Sequence, residues 1–415
     1  MRESGLRLAV RLRQDGWSLR VGRWPAAALA FCVGLSGCHY MKPKPTETYV
    51  YVTAKQGVLH DRVAAVSNRT GTVTNGEKLV VLERARRFVK VQTPQGEIGW
   101  IEDKPTIIAG QDTADAFEAL RKAHEKDPVA ASAVARDEVV LHVSPGRGTA
   151  SFFRLAEGDK LDLLERATVA KVAPGAAAAK PKVEVKAGAA QATPAAGAEK
   201  KPEVVAVPEP PAMEDWWLAR DAKGEIGWIY SHLIDVSAPD TLSRYAEGQR
   251  IVGAYVLAYA DDPDSGMVDG GNPVTSIPEY VTVLGPYKAG LPYDFDQVRV
   301  FTWNVKKHRY ETAFREHNVE GYLPVKIDAE ADPYGKAANA QEKLPTFTYH
   351  VLAAGEAEPV ADASTGEMRP GKTVAKVYRL EGNICRRILA PGTKGPDEAH
   401  PVVEEKKDSK KKKKQ

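Results

Sequence analysis

The sequence predicts a mostly β protein: two copies of one small β unit, followed by a third β-rich region. Three observations lead there. The stretch Gly96-Glu97-Ile98-Gly99-Trp100-Ile101 returns letter for letter as Gly224-Glu225-Ile226-Gly227-Trp228-Ile229, and Asn75–Ala85 parallels Glu157–Ala167. The interval from His60 to Gly76 is 16 positions, as is that from His142 to Gly158, a shared register that marks an internal duplication. Finally, most apolar runs are short and bounded by glycine, proline or asparagine turns, as strands are.

In chain order, residues 1–37 read as an export signal. Arg2, Arg7, Arg11, Arg13, Arg20 and Arg23 precede an apolar run, Pro25 to Leu35, that is too short to span a bilayer. The run ends in Leu35-Ser36-Gly37-Cys38, which resembles the lipobox of bacterial lipoproteins. That resemblance implies cleavage before Cys38 and a thioether-linked diacylglycerol on its thiol. Several acyl chains on one residue anchor stably, and His39, in place of aspartate, implies the outer membrane, facing the periplasm. Residues 38–47, with Lys42-Pro43-Lys44-Pro45, form an extended tether.

The first repeat spans 48–108. Leu79-Val80-Val81-Leu82 follows an Asn-Gly turn, Phe88–Gln92 forms a second strand, and Gly99-Trp100-Ile101 begins the return. Residues 109–136 connect the copies through a helix with Asp112 and Thr113 as caps, Phe117 and Leu120 on one face, and Asp127-Pro128 as terminator. The second repeat spans 137–237. Gly76 to Gly96 is 20 positions but Gly158 to Gly224 is 66, so 46 residues have been inserted. This insertion, 168–213, has no aromatic residue and is expected to be disordered.

The Gly-Glu-Lys and Gly-Asp-Lys turns, the aromatic-led strands and the Gly-Trp-Ile hairpins resemble bacterial SH3-like (SH3b-type) domains. The resemblance implies two small SH3-like β-barrels with Trp100 and Trp228 in their cores. Leu141-His142-Val143-Ser144-Pro145-Gly146 keeps the outline of the family's opening run, from which Val58-Leu59-His60-Asp61-Arg62 departs.

Residues 238–395 carry further strand-like runs: Arg250–Tyr259, Glu279–Leu284, Val298–Trp303, Tyr310–Arg315, Tyr322–Ile327, Phe347–Leu352, Val374–Leu380 and Ile384–Leu389. Tyr310, Thr312 and Phe314 alternate with Glu311, Ala313 and Arg315, the pattern of a sheet with one wet face. A barrel and a sandwich both fit, and no family resemblance is found. The tail, 396–415, carries the run Lys410 to Lys414 and is expected to be solvated.

The formal net charge is +3, and the first 37 residues hold a surplus of four positive charges, which leaves the body near −1. Nucleic-acid binding is therefore not expected. Three cysteines are too few for a disulfide framework. Cys385 lies late in the chain, in a strand-like run with only His400 after it, unlike the early, helix-borne cysteine of papain-like wall peptidases. Arg386 faintly echoes the L,D-transpeptidase motif, but the preceding Gly382-Asn383-Ile384 lacks that motif's histidine. His308, His317 and His350 share no metal-binding spacing, and Asp261-Asp262-Pro263-Asp264-Ser265-Gly266 reads as a surface turn rather than a calcium loop. The expectation is thus no catalytic residue, no metal and no cofactor. It describes a non-enzymatic, lipid-anchored envelope protein that binds peptidoglycan or an envelope partner. Trp216 and the loop Ser144–Phe153, with Ser144, Phe152 and Phe153, are the expected contacts. A wall hydrolase or transpeptidase in the third region, or an assembly adaptor, is the alternative.

Overall fold

The first repeat forms seven antiparallel strands: β1 (Tyr49–Val52), β2 (Gln56–His60), β3 (Arg69–Thr74), β4 (Lys78–Ala85), β5 (Phe88–Gln92), β6 (Ile98–Glu102) and β7 (Ile108–Gly110). The computed structural model describes residues 48–64, 67–172, 212–335 and 339–401. Cys38 with the segments on either side of it, residues 173–211 of the expected insertion and the lysine tail lie outside them. The strand order is β3-β2-β6-β5-β4-β1-β7. Alternate residues point inward, so Val50, Val52, Leu59, Leu79, Val89, Val91 and Ile101 form the core. Gly76, at φ 83°, makes the left-handed turn into β4 and donates its N–H to the Val52 carbonyl at 2.8 Å.

Helix α1 (Gln111–His124) follows directly. Neither Asp112 nor Thr113 caps it. Gly110 holds the N-cap position without a side-chain bond, which leaves Asp112 within the first turn, and Asp127 instead pairs with His124 Nδ1 at 2.7 Å.

The second repeat has β8 (Ala131–Ala135), β9 (Val139–His142), β10 (Ser151–Leu155), β11 (Lys160–Ala170), β12 (Met213–Asp221), β13 (Ile226–Tyr230) and β14 (Ile234–Val236). Its order, β10-β9-β13-β12-β11-β8-β14, matches the first sheet place for place. Gly158, at φ 82°, donates to the Ala135 carbonyl at 2.8 Å, as Gly76 does to Val52. Two differences from expectation stand out. The first strand of this copy begins ahead of residue 137, because Ala131-Ser132-Ala133-Val134-Ala135 has side chains too small to read as a strand. The insertion also begins later than 168: Thr168, Val169 and Ala170 pair with Asp215, Glu214 and Met213 and continue the hairpin.

After the short helix α2 (Asp240–Ser243) comes a third sheet, formed by β15 (Arg250–Asp261), β18 (Ser276–Gly285), β19 (Phe295–Asn304), β20 (Arg309–Glu330), β21 (Leu344–Leu352), β22 (Thr373–Glu381) and β23 (Ile384–Arg387). A two-stranded ribbon, β16 (Val268–Asp269) with β17 (Asn272–Pro273), interrupts the first hairpin. Strands pair in sequence order from β15 to β23, an antiparallel meander. All three sheets have two edge strands in their hydrogen-bonded order, so among the described residues neither repeat closes into a barrel by pairing. The expected strands at 310–315 and 322–327 are one long strand, β20. Its expected alternation breaks at Ala313, an extra residue opposite the Val300–Phe301 step. Tyr310 therefore packs with Trp303 and Phe301, whereas Phe314 turns to the opposite face and meets Tyr378.

The second and third sheets share one apolar core, in which Ala133, Leu163 and Trp217 join Val252, Val281 and Phe295. Charge crosses the same seam. Arg166 is buried, donates from Nε to Asp294 Oδ1 at 2.8 Å, and donates to the carbonyls of Leu291 at 2.8 Å and Tyr293 at 3.0 Å. Buried Asp215 accepts from Thr168 Oγ1 at 2.7 Å and from the Gly290 N–H at 3.0 Å.

Candidate functional site

Because the two repeats pair in the same register, their outward faces can be compared residue by residue. In the first, Trp100 lies between His60 on β2 and Lys90 on β5. In the second, Trp228 lies between His142 on β9 and Leu218 on β12. His60 Nδ1 meets Ser67 Oγ at 2.9 Å, and His142 Nδ1 meets Thr149 Oγ1 at 3.0 Å, each seven residues on. The same registers pair Leu82 with Leu164, Phe88 with Trp216 and Ile98 with Ile226.

The glycine before each tryptophan has one physical cause. A Cβ on Gly99 would stand 2.7 Å from Leu59 Cβ and 3.3 Å from the His60 carbonyl oxygen; on Gly227 it would stand 2.6 Å from Leu141 Cβ and 3.2 Å from the His142 carbonyl. The β2–β6 and β9–β13 crossings are too close for any side chain.

The two faces have opposite fates. In the second repeat, Leu164, Trp216, Leu218, Ile226 and Trp228 form a buried cluster on which Leu120 of α1 packs. Residues following β21 cover the far end, where the Thr168 N–H donates to the Gly366 carbonyl at 2.7 Å. In the first repeat nothing comparable covers the face among the described residues. Ile98 is 49% exposed where Ile226 is 1%, and Leu82 is 46% exposed where Leu164 is 8%. Trp100, expected in a core, is half-buried on this open face with Lys90 Nζ 5.9 Å from its ring centroid, while Trp228 is buried. At the loop end, the Asn68 backbone N–H bonds the Asp61 carboxylate at 2.9 Å and holds it below its ordinary range. An apolar strip with one cation, one imidazole and one indole edge suits an amphipathic polymer or peptide.

The contacts expected from sequence lie elsewhere. Trp216 is 2% exposed, edge-on to His142 at 5.2 Å. Burial by the covering elements, which local sequence does not show, removes it as a surface contact. Phe152 is likewise buried at the joint between the repeats, 5.6 Å from Tyr51 and 5.8 Å from Phe117. Phe153 is half-buried against Phe117 at 5.4 Å, and the half-buried Ser144 uses its carbonyl to accept from Thr149 Oγ1 at 2.7 Å. Sequence reasoning passed over Lys90, Ile98 and Leu82. Aligning the copies would have exposed the signal, since lysine stands in the first where leucine stands in the second.

Cys385 sits on edge strand β23 opposite Leu380, and burial pushes its thiol up to about 12. A thiol held protonated is a poor nucleophile. Asp262 is not a surface turn residue: it is buried and accepts from Trp303 Nε1 and His308 Nδ1, each at 2.7 Å.

The bacterial SH3 domain family matches residues 62–104, the part of the first repeat that carries this open face. A bacterial SH3 domain points to cell-wall binding. No curated protein matches the chain. Similar solved structures include NlpC2 from Trichomonas vaginalis, at 9% identity and a TM-score of 0.14, covering 49% of this chain and 54% of that one. The chain thus spans about half the length of NlpC2. An NlpC/P60 family protein from Bacillus cereus ATCC 10987 is 11% identical with a TM-score of 0.19, covering 66% of this chain and 100% of its own. NlpC1 from Trichomonas vaginalis is 7% identical with a TM-score of 0.14, covering 65% and 88%. The expectation that the chain is not an enzyme runs against these neighbours, which are NlpC and NlpC/P60 family proteins. At TM-scores of 0.14 to 0.19 the likeness assigns no catalytic role to any residue here.

Proposed function

We propose that this chain is a lipid-anchored envelope protein that binds peptidoglycan through the outward face of its first SH3-like repeat. Cys38 carries the diacylglycerol, and the outer membrane, seen from the periplasm, is its location. The second repeat is then a sister SH3-like unit whose equivalent face has been given over to packing under α1 and the residues following β21. The observation that carries this reading is the contrast between Ile98 and Ile226, 49% against 1% exposed at the same position of the same fold. A duplicated surface that, among the described residues, is left open in one copy supports a use outside the chain.

Co-sedimentation of the full chain with purified sacculi tests this. Ile98→Asp and Lys90→Glu change exposed or half-exposed side chains and leave the core alone. Together they are expected to weaken binding about tenfold or more, the loss of roughly one good contact. Undiminished sedimentation of the double variant would refute the assignment to this face. Metabolic labelling with a radiolabelled fatty acid tests the anchor: label is expected on the wild type and absent from Cys38→Ser.

A further inference from the structure

A groove of about 600 Å³ runs along the seam where the second repeat meets the third sheet. That lies within the ~300–1,000 Å³ typical of small-ligand sites. Trp217, Ile234, Ile251 and Val252 make its floor, and Ser231, His232 and Ser243 add polar groups at its sides. Tyr287 stands on the rim, 76% exposed.

Three features constrain what the groove takes. First, Arg250 on its wall is loosely paired. The nearest carboxylate oxygen, Asp215 Oδ2, is 3.7 Å away, and Arg250 Nε is shielded from solvent with no hydrogen-bond partner. Thr168 and Gly290 engage only Asp215 Oδ1, and Oδ2 makes no hydrogen bond, so the ion pair across 3.7 Å is loose and the partly exposed end of the Arg250 guanidinium, 24% exposed, keeps capacity for an acceptor in the groove. Second, the other cation, Arg136, is already held by Asp235, with Nε at 3.0 Å from Oδ2. With Asp235 and Asp240 also lining the site, a polyanion such as a phosphate chain is repelled, whereas a single carboxylate is accommodated. Third, an exposed tyrosine beside an apolar floor offers a flat surface on which the C–H face of a pyranose ring packs, leaving sugar hydroxyls to the serines.

We propose that this groove binds a carboxylate-bearing sugar, the carboxylate on Arg250 and the ring against Tyr287. Only the choice of source rests on the wall-binding reading: an acidic amino sugar of the wall, as opposed to a uronic acid from another polymer.

The test is titration calorimetry of the full chain with N-acetylmuramic acid, N-acetylglucosamine and glucuronic acid. Either acidic sugar is expected to bind at least about tenfold more tightly than N-acetylglucosamine, which lacks the carboxylate. The better of the two names the source. Tyr287→Ala, at an exposed site, is expected to weaken binding of that sugar by about three- to tenfold, the scale of one aromatic contact, with unchanged melting. Arg250→Gln is expected to abolish the preference for the acid. Binding of both acidic sugars no tighter than that of N-acetylglucosamine, or no binding of any of the three, overturns the proposal. So does Tyr287→Ala binding like the wild type. If sacculi bind while no sugar does, the groove falls and the wall reading stands. If an acidic sugar binds while sacculi do not, the wall reading alone falls.

Discussion

Gly99 and Gly227 show most directly how one residue type serves the fold. Either glycine read in isolation would suggest flexibility, but both lie in strands, and the distances to Leu59 and Leu141 show that the reason is the crossing strand. Gly227→Ala must move the β9 backbone by several tenths of an ångström, because a carbonyl as well as a side chain stands in the way. It is expected to destabilise the second repeat by about 1–3 kcal/mol, the range for overpacking, measurable by denaturant unfolding. His142 gives the same repeat a pH response. Burial lowers its imidazole pKa from the ordinary value, against a smaller opposing effect of the Thr149 carbonyl. The unfolded chain therefore takes up a proton first on acidification, near pH ~6.5, and stability falls as pH drops below that value. A lower melting temperature at pH 5.5 than at 7.5 is expected. His142→Gln should reduce that difference, and an unchanged difference would assign it to other groups.

At the level of elements, the legible parts were those written in turns. The Asn75-Gly76 turn, the hairpins at Gly96 and Gly224, and most strands of the third sheet stood in the sequence because turn chemistry and β-branched runs are local. Three elements did not. β8 is built of alanine, serine and valine and carries no hydrophobic amplitude. β20 reads as two strands because the mostly polar stretch Glu316-His317-Asn318-Val319-Glu320-Gly321 separates its two apolar runs. The role of α1 was illegible because a helix's partner is not encoded in its own period: Phe117 and Leu120 announce an apolar face but not that it covers Trp228 and Ile226. That coverage is also why Trp216 was mistaken for a contact. Leu120→Ala should uncover part of this cluster. The half-buried side chain sets the expected loss at about 1–2 kcal/mol, confined to the second repeat and checked by hydrogen exchange of β12 and β13. Protection lost equally in β5 and β6 would contradict it.

Across the whole molecule, the decisive fact is that the first repeat keeps a core of its own while the second shares one with the third sheet. The joint between the repeats sets one aromatic contact, Tyr51 against Phe152 at 5.6 Å, among polar bonds: Asn75 Nδ2 to the Phe152 carbonyl at 3.0 Å, Arg154 Nε to the Thr53 carbonyl at 2.9 Å, and Lys55 to Glu138 at 2.7 Å. The seam to the third sheet is apolar and carries Arg166, whose hydrogen-bond acceptors Asp294, Leu291 and Tyr293 lie more than a hundred residues away in sequence. No local pattern could have announced that pairing. Two unfolding transitions are therefore expected in calorimetry, one for the first repeat and one for the remainder. Arg166→Ala would leave Asp294 and Asp215 buried with less compensation, a change that removes about 3–5 kcal/mol when a buried ion pair loses one partner. At ~2–4 °C per kcal/mol for a body of this size, the second transition should fall by roughly 6–20 °C while the first stays in place. Sacculus binding by the first repeat should survive at temperatures below both transitions. A single transition that moves as one in the variant would mean that the repeats do not unfold separately, and the division of labour between an open first repeat and a packed second one would lose its physical basis.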